Sequence, residues 1–336
     1  KELRRITFSI FLLGTLFVLF SLSLFAQSQI GSDIDGENAG DNSGRSVSLS
    51  SNGNIVAIGA IRSDDNGTEA GHVRVFKNTN GTWTQIGSNI KGEAAGDNSG
   101  YSVSLSSDGN IVAIGAIRSE GNGYYAGHVR VYKNINGTWT QIGSDIDGEA
   151  PNDVSGCSVS LSSDGNTLAI GAIFNDGNGA SAGHVRVYKN INGTWTQIGS
   201  DIDGEAAGDF FGTSVSLSSN GNTLAIGGTY NDGNGTNAGH VRVFNNTNGS
   251  WTQIGSDIDG TNAGDYFGRS VSLSSDGNTL AIGANGEVNN ANDTSYVRVF
   301  KNSNGSWTQI GSDIYGEALG DNSGKSISLS SDGITL

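Results

Sequence analysis

The chain has 336 residues, enough for one repeat domain, and 53 of them are glycine while only one is proline. Its net charge of −15 creates a surface that repels nucleic acid and anionic membranes, which argues against both as partners. The single cysteine, Cys157, excludes an internal disulfide framework and a multi-cysteine metal site.

Residues 1–29 differ in composition from everything that follows. Three cations within the first five residues precede an apolar run over residues 6–25, and Ala26 comes next. This order predicts a secretory signal peptide that is cleaved after Ala26. Because a run of about 20 apolar residues would also span a bilayer as a helix, an uncleaved membrane anchor is the second interpretation. Both interpretations predict that the protein is secreted or held at the cell surface.

A 56-residue repeat occupies residues 30–336. The five tryptophans are spaced by this length, without insertion or deletion: Trp83, Trp139, Trp195, Trp251 and Trp307. The units are 30–85, 86–141, 142–197, 198–253 and 254–309, with a partial unit at 310–336. Because the chain starts at Lys1 and stops inside a segment that continues in the other units, we expect a fragment whose last repeat is incomplete. We expect a membrane to be contacted only through the N-terminal segment or through a C-terminal anchor that this fragment lacks.

Each unit is predicted to form four short antiparallel strands, A to D, described here for the third unit. Residues 158–162 and 167–171 alternate polar and apolar side chains, which predicts strands A and B around a tight Asp-Gly turn. Residues 184–188 and 194–198 predict strands C and D around an Asn-Gly hairpin. Repeated four-stranded meanders are typical of β-propeller blades, so we expect an all-β propeller. The alternative is a β-solenoid, which the tight hairpins disfavour.

Neighbouring blades are expected to pack a large apolar face against a small one, so that no blade has a core alone. The opposite face of strands A and B carries Ser, Ala and Gly, which allows close approach. The large face of the third unit is predicted to contain Val159, Leu161, Leu168, Ile170, Val185 and Val187.

Two glycine motifs recur in the units. Phe-Gly occurs at 211–212 and 267–268, and Gly-Ala ends strand B, as at 171–172. With the following strand (residues 70–76 in the first unit), these motifs resemble the FG-GAP repeat of integrin α-subunit propellers, without its proline. The units also look similar to repeats in large secreted proteins of marine Bacteroidetes. The resemblance covers residues 30–336 and implies a propeller, an extracellular setting and a role in binding or cell adhesion.

The FG-GAP resemblance does not transfer a calcium site. That family often carries a D-x-D-x-D-G loop between strands A and B, whereas residues 163–166 form a short Ser-Asp-Gly-Asn turn here. Such a turn cannot supply the roughly six to eight oxygens that calcium needs. The recurring acidic run of Asp201, Asp203, Glu205 and Asp209 leaves a weak possibility of calcium and is otherwise interpreted as a solvated turn. Asp209, which recurs in every unit, is predicted to bond the backbone of its turn.

Four histidines occupy one repeat position at the start of strand C: His72, His128, His184 and His240. In the fifth unit, Tyr296 stands at this position. Because the histidines lie a full blade apart, the repeat predicts a structural role rather than a shared metal. No cofactor or metal site is assigned.

The copies differ from one another mainly in the D–A and B–C loops, which are predicted to share one edge of the propeller. One interpretation is that unconstrained loops drift. The other is that this edge binds a ligand, because aromatic and arginine side chains are favoured anchors. The candidate ligand-binding residues are Arg45, Arg62, Tyr101, Arg118, Tyr124, Tyr125, Phe174, Phe210, Tyr230, Tyr266 and Arg269.

We therefore expect a non-enzymatic binding or adhesion module whose ligand is an extracellular protein or glycan. A secreted polysaccharide-active enzyme is the alternative, although near-identical units offer no unique catalytic constellation. A purely structural repeat spacer is the third hypothesis.

Overall fold

The computed structural model describes residues 29–286, 295–318 and 320–336. The predicted signal peptide or anchor lies outside these residues, apart from its last position. Within the described ranges, all regular elements are β-strands, and none is a helix long and apolar enough to cross a membrane.

Five antiparallel sheets follow one another along the chain. The first sheet contains β1 (Ser43–Leu49), β2 (Ile55–Ala60), β3 (His72–Thr79), β4 (Thr82–Gln85) and β5 (Ile90–Lys91). The second contains β6 (Ser99–Leu105), β7 (Ile111–Ala116), β8 (His128–Ile135), β9 (Thr138–Gln141) and β10 (Ile146–Asp147). The third contains β11 (Ser155–Leu161), β12 (Thr167–Ala172), β13 (His184–Ile191), β14 (Thr194–Gln197) and β15 (Ile202–Asp203).

The fourth sheet contains β16 (Phe211–Leu217), β17 (Thr223–Gly228), β18 (His240–Thr247), β19 (Ser250–Gln253) and β20 (Ile258–Asp259). The fifth contains β21 (Phe267–Leu273), β22 (Thr279–Ala284), β23 (Tyr296–Ser303) and β24 (Ser306–Tyr315).

Every sheet has the predicted meander order A-B-C-D, and the fourth strand is interrupted in the first four sheets. In the third sheet, β14 pairs with one end of β13 and the short β15 pairs with its other end. The interpretation of residues 201–209 as only a solvated turn was therefore wrong, because Ile202–Asp203 continues the edge strand. The fifth sheet forms the same edge as one strand, β24.

The sheets are arranged as the blades of a propeller, with strand A innermost. The A strands β1, β6, β11, β16 and β21 contact one another in series. Backbone hydrogen bonds join successive A–B turns, as from Ser107 N–H to the Ser163 carbonyl (2.9 Å) and from Ser275 N–H to the Ser331 carbonyl (2.9 Å). The partial sixth unit thus continues the series, and the predicted all-β propeller is confirmed.

The assignment of strand C side chains to the large face was wrong. In the β12–β13 pair, Leu168 lies opposite Tyr188, and Ala169 lies opposite Val187. Directly paired residues share a face, and a one-residue change of phase along a strand reverses it. Val185 and Val187 therefore belong to the small face, and Tyr188 completes the large one.

One core fills each gap between sheets. Between the second and third sheets, the small face supplies Ala113, Val129, Val131 and Ile146, and the large face supplies Leu161, Leu168, Ile170 and Tyr188. The first sheet's large face has no preceding sheet among the described residues, and Leu49 is 60% exposed while its equivalent Leu105 is 7% exposed.

The two glycine motifs meet where sheets approach most closely. Gly115, from the Gly-Ala end of β7, faces Gly156 at the start of β11 in the next sheet, and a Cβ on Gly115 would overlap the Gly156 carbonyl oxygen. Gly156 has φ +87°, a backbone conformation that residues other than glycine rarely adopt. Ser102 Oγ also donates to the Gly156 carbonyl at 2.7 Å. The motifs are therefore explained by packing between sheets.

Candidate functional site

One variable position in strand A of the first five units, together with its equivalent in the partial sixth unit, lines a single axial cavity. The cavity holds about 610 Å³. Its lining at this position is Arg45, Tyr101, Cys157, Thr213, Arg269 and Lys325. The Arg45 guanidinium carbon lies 4.3 Å from the centre of the Tyr101 ring. We call these six residues the variable mouth, and three of the predicted site residues (Arg45, Tyr101 and Arg269) belong to it.

The opposite end of the same six segments is uniform. A cavity of about 440 Å³ there is lined by leucines and serines that recur from unit to unit. The serines are Ser51, Ser107, Ser163, Ser219, Ser275 and Ser331. The two ends of one repeated strand therefore differ sharply in how far the copies have diverged.

Cys157 is the one member of the variable mouth with thiol chemistry. It is half-buried, and burial raises the pKa of its thiol to about 11. The thiolate is the reactive form of cysteine, so this side chain is a protonated lining residue at neutral pH.

Four predicted residues form a continuous line of aromatic rings across the third, fourth and fifth units. The Phe210 ring centre lies 5.0 Å from that of Phe174 and 4.6 Å from that of Tyr230. Tyr230 lies 5.0 Å from Tyr266 in an edge-to-face arrangement, a favoured geometry for aromatic pairs. Phe174 and Tyr230 are 37% and 38% exposed, whereas Tyr266 is 8% exposed. In this aromatic line, the partly exposed rings of Phe174 and Tyr230 thus extend from the buried ring of Tyr266.

Two members of the aromatic line have an unusual backbone. Phe210 and Tyr266 have φ of 52° and 50°, in the left-handed region that bulky side chains rarely occupy. The equivalent residues at 42, 98 and 322 are asparagine, which tolerates this conformation, and the third unit has Val154 there with φ of 57°. Strain of this kind costs about 1–3 kcal/mol and is concentrated at functional sites. The aromatic side chains therefore stand where the backbone alone would favour asparagine.

A third cavity, of about 540 Å³, opens beside the second sheet. Tyr124 and Tyr125 stack with ring centres 3.8 Å apart, and the Arg118 guanidinium carbon lies 5.4 Å from the Tyr125 ring centre. All three predicted residues line this cavity. Its lining also includes Glu93, His128 and Asp145. Aromatic, cationic and anionic groups therefore converge in one cavity.

Arg62 joins this group through Glu69. A Glu69 carboxylate oxygen lies 3.6 Å from Arg62 Nε, and the other lies 3.8 Å from Arg118 Nη1. The arginine side chains are 57% and 44% exposed, so each pair contributes at most about 1 kcal/mol. The guanidinium groups remain accessible to an anionic group.

The eleven predicted residues thus fall into three groups on the edge that carries the D–A and B–C loops. They are the variable mouth, the aromatic line, and the cavity at Tyr124 with Arg62 beside it. The expected sharing of one edge follows from the β11–β12 register, in which Ser155 at the end of the D–A loop lies opposite Ala172 at the start of the B–C loop.

The recurrent aspartate forms the predicted turn. Asp209 Oδ2 accepts hydrogen bonds from the backbone N–H groups of Glu205 and Ala206, at 3.1 and 3.0 Å. The equivalent Asp97 accepts the same pair of bonds. The role assigned to this carboxylate is therefore confirmed.

The sequence interpretation missed that each histidine has two carboxylates of its own. His184 Nδ1 lies 3.9 Å from Glu149 Oε2 and 3.8 Å from Asp201 Oδ2. The equivalent groups are Glu205–His240–Asp257, Glu93–His128–Asp145 and, in a modified form, Glu37–His72–Asp65. Because each histidine has carboxylates of its own, metal binding would not require one ion to be shared between blades. The distance between the histidines is therefore no argument against a metal site at each one.

Burial sets the protonation of these groups. It lowers the pKa of His184 and His240 to about 4, so both imidazoles are neutral at pH 7. It also raises the pKa of Glu149 and of Glu205, and the facing carboxylates of Asp201 and Asp257 add to that rise.

The FG-GAP repeat family matches three segments of the chain: residues 33–76, 201–244 and 258–300. No curated protein matches the sequence. Among solved structures, a protein from Bacteroides uniformis ATCC 8492 assigned as a 6-phosphogluconolactonase is 15% identical with a TM-score of 0.55, covering 81% of this chain and 72% of that one. The periplasmic gluconolactonase PpgL of Pseudomonas aeruginosa is 17% identical with a TM-score of 0.51, covering 79% and 70%. At these identities the similarity concerns the fold alone.

Proposed function

We propose that this chain, an FG-GAP repeat β-propeller protein, is an extracellular or cell-surface binding module. Its ligand, a protein or a glycan, is bound by the edge that carries the variable mouth and the aromatic line. The proposal includes secretion, for which the N-terminal apolar segment is the support.

The contrast between the two ends of strand A carries this proposal. The copies keep serine at one end, whereas the other end has arginine, tyrosine, cysteine, threonine or lysine. Drift without constraint accounts for variation, whereas a binding surface also accounts for its concentration at one edge and for the aromatic and arginine side chains found there. Phe210 and Tyr266 stand at a left-handed backbone position where three units have asparagine and the third has Val154, so these aromatic side chains carry a cost in backbone strain.

Charge supports a ligand that carries acidic groups. The chain has a net charge of −15, yet Arg45, Arg269 and Lys325 gather around the variable mouth. Cations collected at a cavity opening attract anions even when the whole molecule is acidic. The adjacent aromatic line supplies apolar area of the kind that dominates binding energy at interfaces.

The test is the binding of the chain to a glycan array and to a panel of extracellular-matrix proteins. The variant Phe174→Ala/Phe210→Asn/Tyr230→Ala removes the exposed part of the aromatic line, and asparagine is the residue that other units have at position 210. Loss of three aromatic anchors is expected to weaken binding by about 10-fold or more.

Ile191→Thr is the matched control. Ile191 is an exposed apolar residue (53%) in the C–D hairpin, at the opposite edge, where the first and fourth units have threonine. The Ile191→Thr variant should bind the ligand as strongly as the unsubstituted chain does. Equal binding by the triple variant and the control would refute the assignment of the aromatic line.

A further inference from the structure

We propose that the third and fourth sheets each hold a divalent transition-metal ion of the Zn²⁺ class, bound by one histidine and two carboxylates. The ligands are His184, Glu149 and Asp201 in the third sheet, and His240, Glu205 and Asp257 in the fourth. This inference does not depend on the proposed binding function, although these sites lie on the same edge, which carries the D–A and B–C loops.

The imidazole nitrogens lack partners although they are buried. The His184 side chain is 1% exposed and that of His240 is 0% exposed. Among the residues that the structure describes, neither ring has a hydrogen-bond partner for its Nδ1 or its Nε2. A buried polar group without a partner costs about 1–3 kcal/mol, so a ligand at Nδ1 would remove part of a real penalty.

The distances suit a shared ion better than hydrogen bonds. From His240 Nδ1, Glu205 Oε2 is 3.9 Å away and Asp257 Oδ2 is 3.8 Å away, too far for a hydrogen bond in either tautomer. Ligands at about 2.1 Å from a tetrahedral Zn²⁺ are about 3.4 Å apart. Movements of less than about 0.5 Å would therefore close the site.

The second oxygen of each carboxylate is already held. Gln197 Nε2 donates to Asp201 Oδ1 at 2.7 Å, and Arg186 Nη1 lies 3.5 Å from Glu149 Oε1. Oε2 and Oδ2 are left to face the imidazole. Partners of this kind orient ligands around metal ions in other proteins, so the pocket is organised before the ion arrives.

The ligand set selects the class of ion. A neutral imidazole favours Zn²⁺, Cu²⁺, Fe²⁺ or Ni²⁺ over Ca²⁺ and Mg²⁺, which prefer oxygen ligands alone. Three protein ligands leave a position for water. Glu149 is 44% exposed, so solvent reaches that position.

The proposed ligands are replaced together where the repeat diverges. In the fifth unit, both the histidine and the glutamate are replaced, by Tyr296 and Thr261. The remaining Asp313 is engaged there by Arg298 through two hydrogen bonds of 2.9 and 2.8 Å. Two of the three ligands are thus lost together in that unit, and the third is bound by an arginine.

The first unit shows the opposite case, a relocated ligand. Asn89 stands where the next units have Asp145, Asp201 and Asp257, but Asp65 replaces a glycine of the B–C loop. Asp65 Oδ2 lies 3.1 Å from His72 Nδ1. One histidine with two carboxylates is therefore kept although one aspartate has moved. In the second unit, Ser119 Oγ lies 2.8 Å from His128 Nδ1, so the proposal is confined to the third and fourth sheets.

The test is Zn²⁺ stoichiometry of the whole chain after removal of metal by a chelator, measured by competition with a chromophoric chelator. Asp201→Asn and Asp257→Asn should each remove one equivalent, and the double variant should remove two. Co²⁺ should give visible d–d bands that are lost in the double variant.

Asp313→Asn is the matched control, since this aspartate occupies the equivalent position without a histidine. It should leave the stoichiometry unchanged. An unchanged stoichiometry in the double variant, an equal loss in Asp313→Asn, or displacement of Zn²⁺ by equimolar Ca²⁺ would each overturn the proposal.

A second variant guards against misfolding. His184→Tyr/Glu149→Thr gives the third unit the residues that the fifth unit has, and those residues are compatible with this fold. This variant should keep the near-ultraviolet circular dichroism of the parent and lose one equivalent of Zn²⁺. A folded variant that binds as much Zn²⁺ as the parent would contradict the site.

Discussion

At the scale of single residues, the repeated tryptophan links one sheet to the preceding one. Trp195 Nε1 donates to the carbonyl of Ile142 at 3.0 Å, and Ile142 N–H donates to Val131 in the second sheet. Trp139 makes the equivalent bond to Ile86 at 2.9 Å. Trp307 differs, because its Nε1 has no partner among the residues that the structure describes. Trp195 and Trp307 therefore allow the contribution of this hydrogen bond to be measured within one chain.

Trp195→Phe is expected to lower the free energy of unfolding by about 1 kcal/mol more than Trp307→Phe does. Both substitutions remove similar ring area from a core between sheets, but only the first removes a hydrogen bond. Urea denaturation followed by circular dichroism measures the difference. Equal destabilisation by the two variants would show that the indole N–H contributes nothing to the contact between sheets.

At the scale of strands and sheets, close approach of backbones sets the tolerance for substitution. Gly115→Ala should destabilise the chain by about 1–3 kcal/mol, because its Cβ would overlap backbone in the next sheet that cannot move independently. Gly137→Ala is the control: Gly137 has φ +87°, and no described residue places an atom within 4 Å of an added Cβ there. It should cost only the backbone strain of about 1–2 kcal/mol. Thermal unfolding would decide, and a smaller loss for Gly115→Ala than for Gly137→Ala would contradict the packing argument.

Strand positions could be predicted from sequence because alternation and turn residues are local signals. The faces of strand C could not, since they depend on its register with strand B. Val187 and Tyr188 are both apolar enough for a core, and only the pairing of Leu168 with Tyr188 separates them. The short strand Ile202–Asp203 was missed because two residues are too few to show period-two alternation.

The candidate site was also predictable only in part, because the variable positions are visible in the sequence whereas the contacts between loops are not. Comparison of the copies identified the variable loops, because substitution at one repeat position is visible in the sequence alone. It did not show that Phe174, Phe210 and Tyr230 form one line, which requires the loops of two successive units to meet. The carboxylates around His184 were also missed, although the joint replacement by Tyr296 and Thr261 was a usable signal.

At the scale of the whole molecule, a uniform framework supports one non-uniform edge. The interior of each gap between sheets repeats the same side-chain types, and the serine end of the axis repeats one residue. Diversity is concentrated at the variable mouth and in the loops around it. This division is what a binding module built from stacked repeats requires, because loops can change without disturbing the contacts that hold the sheets together.

Hydrogen–deuterium exchange of the chain, with and without the strongest ligand from the glycan and matrix-protein panels, tests the central claim most directly. We predict that bound ligand slows exchange in the D–A and B–C loops, above all at residues 205–213 and 228–238. The A–B and C–D hairpins should exchange as they do in the free chain. Protection confined to those hairpins would contradict the account.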